Sequence, residues 1–346
     1  MLVCALDWGL GHATRCIPVI RELQRQGAEV IIASSGKAGV ILQEEFPLLL
    51  YIELPGYNPK YSNTVPLALA MVTQVSGFQQ TIKKEHALLE EAIRSHKLDL
   101  IISDNRYGCY SNAVPSVLIS HQLRLRLNGI WSIFDPFVNR MLQSWISHFS
   151  EVWVPDQVGS GLTERFMSPN IPITYVGWLS RFGSIEVREK KYDVMMIVSG
   201  PEPLRTSFER ILREQAKDLS LSMILVTGKP GDKMNVQENS LRIVNHLSSD
   251  EMAATISSAS VIIARGGYTT IMDLIALGKR AVFVPTPQQP EQQWMASQLH
   301  KRGVVFSVDQ DKFDLRTALQ GAGSTAGLGS FKKQDGLLES AVAKLM

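Results

Sequence analysis

Cysteine is scarce. The 346 residues hold three, Cys4, Cys16 and Cys109, and no CxxC pair. Such an odd, unclustered set argues against a disulfide scaffold and a thiolate metal centre, and reads as reduced cytosolic thiols. Net charge is nearly absent as well: 35 Lys plus Arg against 33 Asp plus Glu leave +2. That excludes a chain-wide electrostatic nucleic-acid binder. No run of about 18 uncharged apolar residues occurs, so a spanning helix is not expected. The opening MLVCALDWGLGHATR has no basic stretch ahead of a long apolar run and does not read as a signal peptide. Hydrophobic residues make up 45% of the chain, enough for sizeable cores. The length suits two domains of about 100–200 residues each.

Apolar runs and helical spacings alternate along the chain. Residues 2–6 read as a buried strand, a helical stretch carrying Ile17, Ile20 and Leu23 follows and ends at Gly27, and 29–33 reads as a second strand. Further strands are expected at 98–103, 117–120 and 151–154, with helices around 88–93 and over 130–149. Residues 168–192 mix Pro, Gly, Ser and charge and mark a boundary. The alternation then restarts, with strands at 193–198, 223–227, 241–245, 261–264 and 280–286, and helices at about 204–218, 248–258, 267–277 and 291–302. GAGSTAGLGS at 321–330 reads as a flexible link before a final helix at about 335–345. The class is therefore α/β, with two doubly wound parallel sheets. The domains are 1–180, 181–325, and a linker plus C-terminal helix over 326–346, with packing of that helix back onto the first domain one placement open to it.

Open α/β sheets place ligands beyond the C-terminal ends of their strands. The first such loop is Asp7-Trp8-Gly9-Leu10-Gly11-His12. Its glycines permit a tight turn, and a histidine near a helix N-terminus suits proton abstraction or an anion. Asp7 is a second candidate base. GLGHAT lacks the third glycine of the dinucleotide fingerprint, which disfavours an NAD site. Asp104, Asn105 and Arg106 follow another strand, and His121 and Gln122 a third; these group as one polar edge. In the second half, Ser199 and Gly200 open a helix and suit an anion, with Arg205 adding charge one turn on. The strongest constellation is Arg265-Gly266-Gly267-Tyr268-Thr269-Thr270 with Asp273 further along. Its glycines and hydroxyls suit phosphate oxygens, and its acid suits a ribose. The glutamine-rich loop containing Gln288, Glu291 and Gln292 suits a hydroxyl-rich ligand.

Residues 245–296, NHLSSDEMAATISSASVIIARGGYTTIMDLIALGKRAVFVPTPQQPEQQWMA, resemble the C-terminal donor domain of glycosyltransferase family 28. GLGHATR resembles the same family's N-terminal Gly-x-Gly-His loop. The resemblance implies the GT-B fold, two Rossmann-like domains facing a central cleft. It also implies an inverting, metal-independent hexosyltransferase using a nucleotide sugar, UDP-linked and UDP-GlcNAc as first choice, with no cofactor. Gly266, Gly267, Thr269 and Thr270 match the diphosphate segment. Asp273 stands where the family usually has the ribose-binding Glu. Glu291 and Gln292 match the donor-sugar pair, and Met295 replaces a frequent Asn. His246 and Leu247 match the loop framing the base, Ser199, Gly200 and Gly11 the donor-side turns, and His12 the N-terminal histidine, base or phosphate ligand. His121 and Gln122 resemble an acceptor-side His-x-Gln segment with different spacing.

The family's acceptors are often lipids. The segments 65–78 and 123–149 are apolar, and the second carries Arg and aromatics. They fit either a membrane-surface contact or core packing, and hence a cytoplasmic protein with or without peripheral contact at the inner membrane face. A UDP-sugar 2-epimerase and a non-catalytic nucleotide-sugar-binding protein are the alternatives on the same architecture.

Overall fold

The computed structural model describes residues 1–57, 67–126, 129–167, 171–182, 189–229 and 234–346. Residues 65–66 and the side chains of 67–73, from the first apolar segment, lie outside the described residues. So do 127–128 and the side chains of 129–131 from the second, and 168–170 and 183–188 of the boundary.

The chain divides into two units, Met1–Arg181 with Lys333–Met346, and Phe182–Lys332. The first begins with β1 (Leu2–Ala5), α1 (Leu10–Arg25), β2 (Ile31–Ser34), α2 (Gly36–Glu45), β3 (Tyr51–Glu53) and α3 (Leu67–His96). It continues with β4 (Ile101–Asp104), β5 (Ser116–Ile119), α4 (Asp135–Ile146), β6 (Glu151–Val154) and β7 (Ile173–Tyr175). The sheet order is β3-β2-β1-β4-β5-β6-β7, parallel at every pairing. All four residues of β1 are buried, as a strand covered on both faces requires; hence the unbroken apolar run LVCA. The chain reverses its direction of winding between β1 and β4, where Leu2 pairs with Ile101 and Ala5 with Asp104. This reversal puts the loops after β1 and β4 side by side at the point where such sheets bind ligands.

The second unit holds β8 (Tyr192–Ile197), α5 (Leu204–Ala216), β9 (Met223–Val226), β10 (Asn235–Glu238), β11 (Leu241–Val244) and α6 (Ser249–Ser257). Next come β12 (Ala259–Ala264), α7 (Tyr268–Ala276), β13 (Arg280–Phe283), α8 (Pro290–Lys301), β14 (Phe306–Ser307) and α9 (Leu315–Gly323). Its order is β10-β11-β9-β8-β12-β13-β14, parallel except for the β10–β11 hairpin. The reversal lies between β8 and β12. A capping box, Ser248 with Glu251, starts α6. The last helix, α10 (Leu337–Ala343), belongs to the first unit and packs on α1 and β7. There Arg25 pairs with Glu339 at 2.7 Å.

Two expectations need correction. Residues 130–149 are not one helix: a 3-10 turn, Gly129–Phe134, precedes α4, because Pro136 suits a new helix start. Residues 321–330 are not a loose link. They complete α9, and the following turn is bound down by Leu328 N to Lys279 O at 2.8 Å and Gly327 N to Val304 O at 3.0 Å. Leu328 is fully buried.

Two glycines predict opposite outcomes for one substitution. A Cβ on Gly108 would lie 2.3 Å from Ile82 O and 2.7 Å from Glu85 Cβ, whereas one on Gly77, within α3, meets nothing within 4 Å. Gly108→Ala is expected to destabilise by about 1–3 kcal/mol through overpacking. Gly77→Ala should stabilise by about 0.5–1 kcal/mol through helix propensity. Thermal melting of the two variants checks both signs.

Candidate functional site

At the edge of the first sheet, Gly9 (φ 85°) turns the chain from β1 into α1 and serves as its N-terminal flank, without a side-chain cap. His12 is the third residue of that helix. Its Nδ1 lies 2.7 Å from Asp104 Oδ1. A carboxylate only accepts, so a hydrogen bond to Asp104 requires the proton on Nδ1 and leaves the lone pair on Nε2; Arg15 Nη2, which only donates, then makes no hydrogen bond to that Nδ1. Arg15, one helical turn on, grips both oxygens of Asp104 through Nε and Nη2. Its Nη2 also lies 2.8 Å from His12 Nδ1, and its Nη1 lies 3.1 Å from His121 Nδ1. Asp104 is fully enclosed, while the His12 side chain keeps 17% of its surface exposed. Burial, then the Arg15 charge, lowers the His12 pKa against the opposing pull of Asp104. For Asp104 burial pushes upward, but Arg15 and then His12 outweigh it and bring the carboxyl to about 2. The result is a neutral imidazole backed by a permanent anion.

The other expected residues of this edge are placed differently. Arg106 is fully buried and serves as a cross-link. Its Nε donates to Ala5 O at 2.7 Å and its Nη1 to Pro55 O at 3.0 Å, and it binds Glu85 and Ser35. Glu85 also accepts from Tyr57 at 2.7 Å and Gly108 N at 3.2 Å. With no surface left, Arg106 is not a ligand contact but a brace for the loop. Asp7 lies 3.7 Å from the Arg106 guanidinium. Its Oδ1 is buried without a hydrogen-bond partner among the described residues. Asn105 sits in the left-handed region at φ 51°, and Gln122 N donates to Ser120 Oγ at 3.2 Å. Arg15 was missed; its position three residues after His12, on the same helix face, is the signal that points to it.

In the second unit the loops after β8, β11, β12 and β13 share one sheet edge. Ser199 and Gly200 follow β8, and Gly200 takes φ 107°. A Cβ there would lie 3.5 Å from Thr286 Oγ1, a buried hydroxyl with no partner among the described residues. His246 is half-buried and Leu247 buried ahead of α6. Gly266 is packed against Ala296, while Gly267 is open and flanks α7, whose first turn holds the half-buried Thr269 and Thr270. Asp273 is nearly buried at the sixth position of α7. Gln288 is exposed at φ 64°. Glu291 sits in the first turn of α8, and Gln292 Oε1 accepts from Thr286 N at 3.0 Å.

Two arginines expected at the ligand are buried instead. Arg205 is held by Glu202, by Glu209 at 3.2 Å and by Thr227 O at 2.9 Å, so its charge is already matched. Arg265 is 1% exposed and donates to main-chain carbonyls of two neighbouring loops. Among the described residues no group of three or more His, Cys, Asp or Glu side chains is placed to hold a metal ion.

Residues 203–323 match the glycosyltransferase family 28 C-terminal domain, the segment that forms most of this second edge. This chain is a glycosyltransferase. It is 26% identical over 319 residues to an uncharacterized glycosyltransferase of Methanopyrus kandleri, covering 84% of this chain and 87% of that one. It is 24% identical over 341 residues to the UDP-N-acetylglucosamine–N-acetylmuramyl-(pentapeptide) pyrophosphoryl-undecaprenol N-acetylglucosamine transferase of Actinobacillus pleuropneumoniae, covering 92% and 87%. Among solved structures the glycosyltransferase is similar to the glycotransferase of kitacinnamycin, with a TM-score of 0.65 at 15% identity over 99% of this chain and 94% of that one. The fold is that of the GT-B glycosyltransferases, with two Rossmann-like units.

Because the folded pKa of Asp104 is depressed, from 3.8 to about 2, its ionisation stabilises the glycosyltransferase above pH about 4. That contribution is lost as pH falls toward 2. Asp104→Asn leaves Arg15 unmatched, which is expected to cost about 3–5 kcal/mol at neutral pH and to flatten the acid limb of stability. Denaturant melts between pH 2 and 7 measure both effects.

Proposed function

We propose that this glycosyltransferase moves a sugar from a nucleotide-sugar donor to a hydroxyl of a lipid-linked or cell-surface glycan, with inversion and without a metal ion. The donor is UDP-linked, with UDP-N-acetylglucosamine the first choice. One observation carries the donor assignment. The two glycine turns at the switch point of the second sheet, Gly200 and Gly266-Gly267, open helices within and beside the segment matching family 28. The donor site is assigned to the second domain, 181–325, and the acceptor side to the first, 1–180. The activity for which the Actinobacillus relative is named supports the choice of donor sugar and the lipid-linked acceptor.

His12 is the base. Its Nε2 takes the proton of the acceptor hydroxyl as that oxygen attacks the anomeric carbon, and Asp104 steadies the imidazolium that forms. Attack from the face opposite the leaving group inverts the centre. The departing diphosphate gains negative charge, which the N-terminal amides of α7 and the Ser199-Gly200 turn offset. Thr269 and Thr270 hold phosphate oxygens, Asp273 the ribose, His246 and Leu247 the base, and Glu291, Gln292 and Gln288 the sugar.

His12→Ala is expected to lower kcat by about 10²–10⁴-fold with UDP affinity unchanged. A loss of UDP binding instead would make His12 a phosphate ligand. In the unaltered protein, the depressed His12 pKa puts the acid limb of kcat/KM below pH about 6.5, with a plateau above it. Incubating UDP-GlcNAc, UDP-galactose, GDP-mannose and TDP-glucose with and without glycan and lipid acceptors, with products read by mass spectrometry, tests the reaction class. A changed sugar nucleotide formed without any acceptor would replace transfer by epimerisation.

The same reading places the protein in the cytoplasm, peripheral at the inner membrane face. No helix among the described residues is long and apolar enough to cross a membrane. Ile133 and Phe137 are 74% and 63% exposed near exposed Arg124, Arg126 and Arg140, a composition suited to an anionic lipid surface. Flotation with phosphatidylglycerol vesicles is expected to retain the protein and to lose it in Ile133→Ser/Phe137→Ser. Equal retention of the double variant would remove this contact.

A further inference from the structure

Four arginines in the described residues are buried: Arg15, Arg106, Arg205 and Arg265. Three face carboxylates: Arg15 faces Asp104, Arg106 faces Glu85, and Arg205 faces Glu202 and Glu209. Arg265 alone of the four has no carboxylate within ion-pair distance among the described residues. Its partners are all neutral: Val284 O at 3.1 Å, Pro285 O at 3.3 Å, Leu204 O at 3.1 Å and Gln310 Oε1 at 2.7 Å. Its Nε is buried with no partner among the described residues, and the guanidinium lies over the Phe208 ring at 4.1 Å.

A buried cation without an anion is costly, because the lost hydration is not replaced by an opposite charge. Burial alone shifts the Arg265 pKa down to about 10, so the group stays charged at neutral pH while no neighbour offsets it. Its location points to what offsets it. Arg265 directly follows β12 and precedes Gly266-Gly267. The carbonyls it holds belong to the loop that follows β13 and to the start of α5. The guanidinium thus sits behind the loops to which the donor diphosphate is assigned.

We infer that Arg265 is a positioning residue, the fixed counter-charge for the diphosphate of the nucleotide donor, acting through the field rather than by contact. This rests on the nucleotide-sugar donor proposed above. Its positive potential favours a ligand in proportion to the negative charge carried, and so favours the diphosphate over the monophosphate and the monophosphate over the nucleoside. It also favours the diphosphate leaving group as charge develops on it.

Deleting the side chain also removes four hydrogen bonds, so the decisive variant adds charge instead. Gln310→Glu keeps an acceptor for Arg265 Nη2 and gives the guanidinium a permanent anion. The flanking Asp309 and Asp311 are exposed, where solvent screens them. Calorimetry on the full chain uses UDP, UMP and uridine as probes, with thermal melting alongside, for the unaltered protein, Gln310→Glu and Arg265→Met. Gln310→Glu is expected to melt higher than the unaltered protein yet bind UDP about tenfold more weakly, UMP less affected, and uridine unchanged. Arg265→Met, where it folds, should show the same order of losses. A Gln310→Glu protein that binds UDP as tightly as the unaltered one, or loses uridine as much as UDP, overturns the inference and leaves Arg265 a structural clamp. An unaltered protein that binds UDP no better than uridine overturns the diphosphate-donor assignment itself, and the inference with it.

Discussion

One enclosed carboxylate organises the edge of the first unit. Asp104 ends β4 with no solvent of its own, so its charge persists only because Arg15 matches both oxygens and His12 donates a third bond. Each of these partners depends on strand order. Only because β4 pairs beside β1 does a helix following β1 reach a carboxylate 89 positions away in sequence. A second buried pair, Arg106 with Glu85, fixes the loop that continues from Asp104 and ties it to Ala5, Pro55 and Ser35. The imidazole therefore rests on two layers of buried ion pairs, which leave it little freedom to change direction.

The edge of the second unit is built differently. Arg205 is neutralised by its neighbours, Arg265 has no carboxylate partner among the described residues, and main-chain amides, hydroxyls and carboxamides stand beside His246, Asp273 and Glu291. The glycine turns, helix N-termini and unmatched Arg265 of this edge suit an anionic ligand. The first edge carries a buried anion behind a base and suits a proton that must be taken up. These opposite electrostatic settings follow from the residue placed at each strand end, not from the sheets, whose winding is alike.

Much of this was legible in the amino-acid order. Buried parallel strands read as apolar runs such as LVCA and VIIA, and the glycine turns that follow them mark the binding edges. Weakly patterned pieces were not legible. β10 is mostly exposed, β14 has two residues, and β3 and β7 are short and half-buried. These edge strands are defined by their neighbours rather than by their own hydrophobicity. The turn at 321–330 was misread because glycine abundance signals freedom in a linker and close approach in a packed turn, and only the tertiary setting separates the two.

The arginines show the same limit more sharply. Arg106, Arg205 and Arg265 each follow or adjoin a strand end, and each reads from sequence as a ligand contact. All three instead point inward to carbonyls or carboxylates. A guanidinium carries five donors in a rigid plane, so it is well suited to binding the orphan carbonyls where strands terminate and loops diverge. Whether the buried charge then serves only the fold depends on its balance. Where a carboxylate is present, removing the arginine exposes a second cost, the abandoned anion. Where none is present, the hydrogen bonds favour keeping the residue and the charge opposes it. At Arg265 the guanidinium's donor set serves the carbonyls while its charge goes unmatched among the described residues, and the inferred counter-charge role supplies the partner that the fold does not.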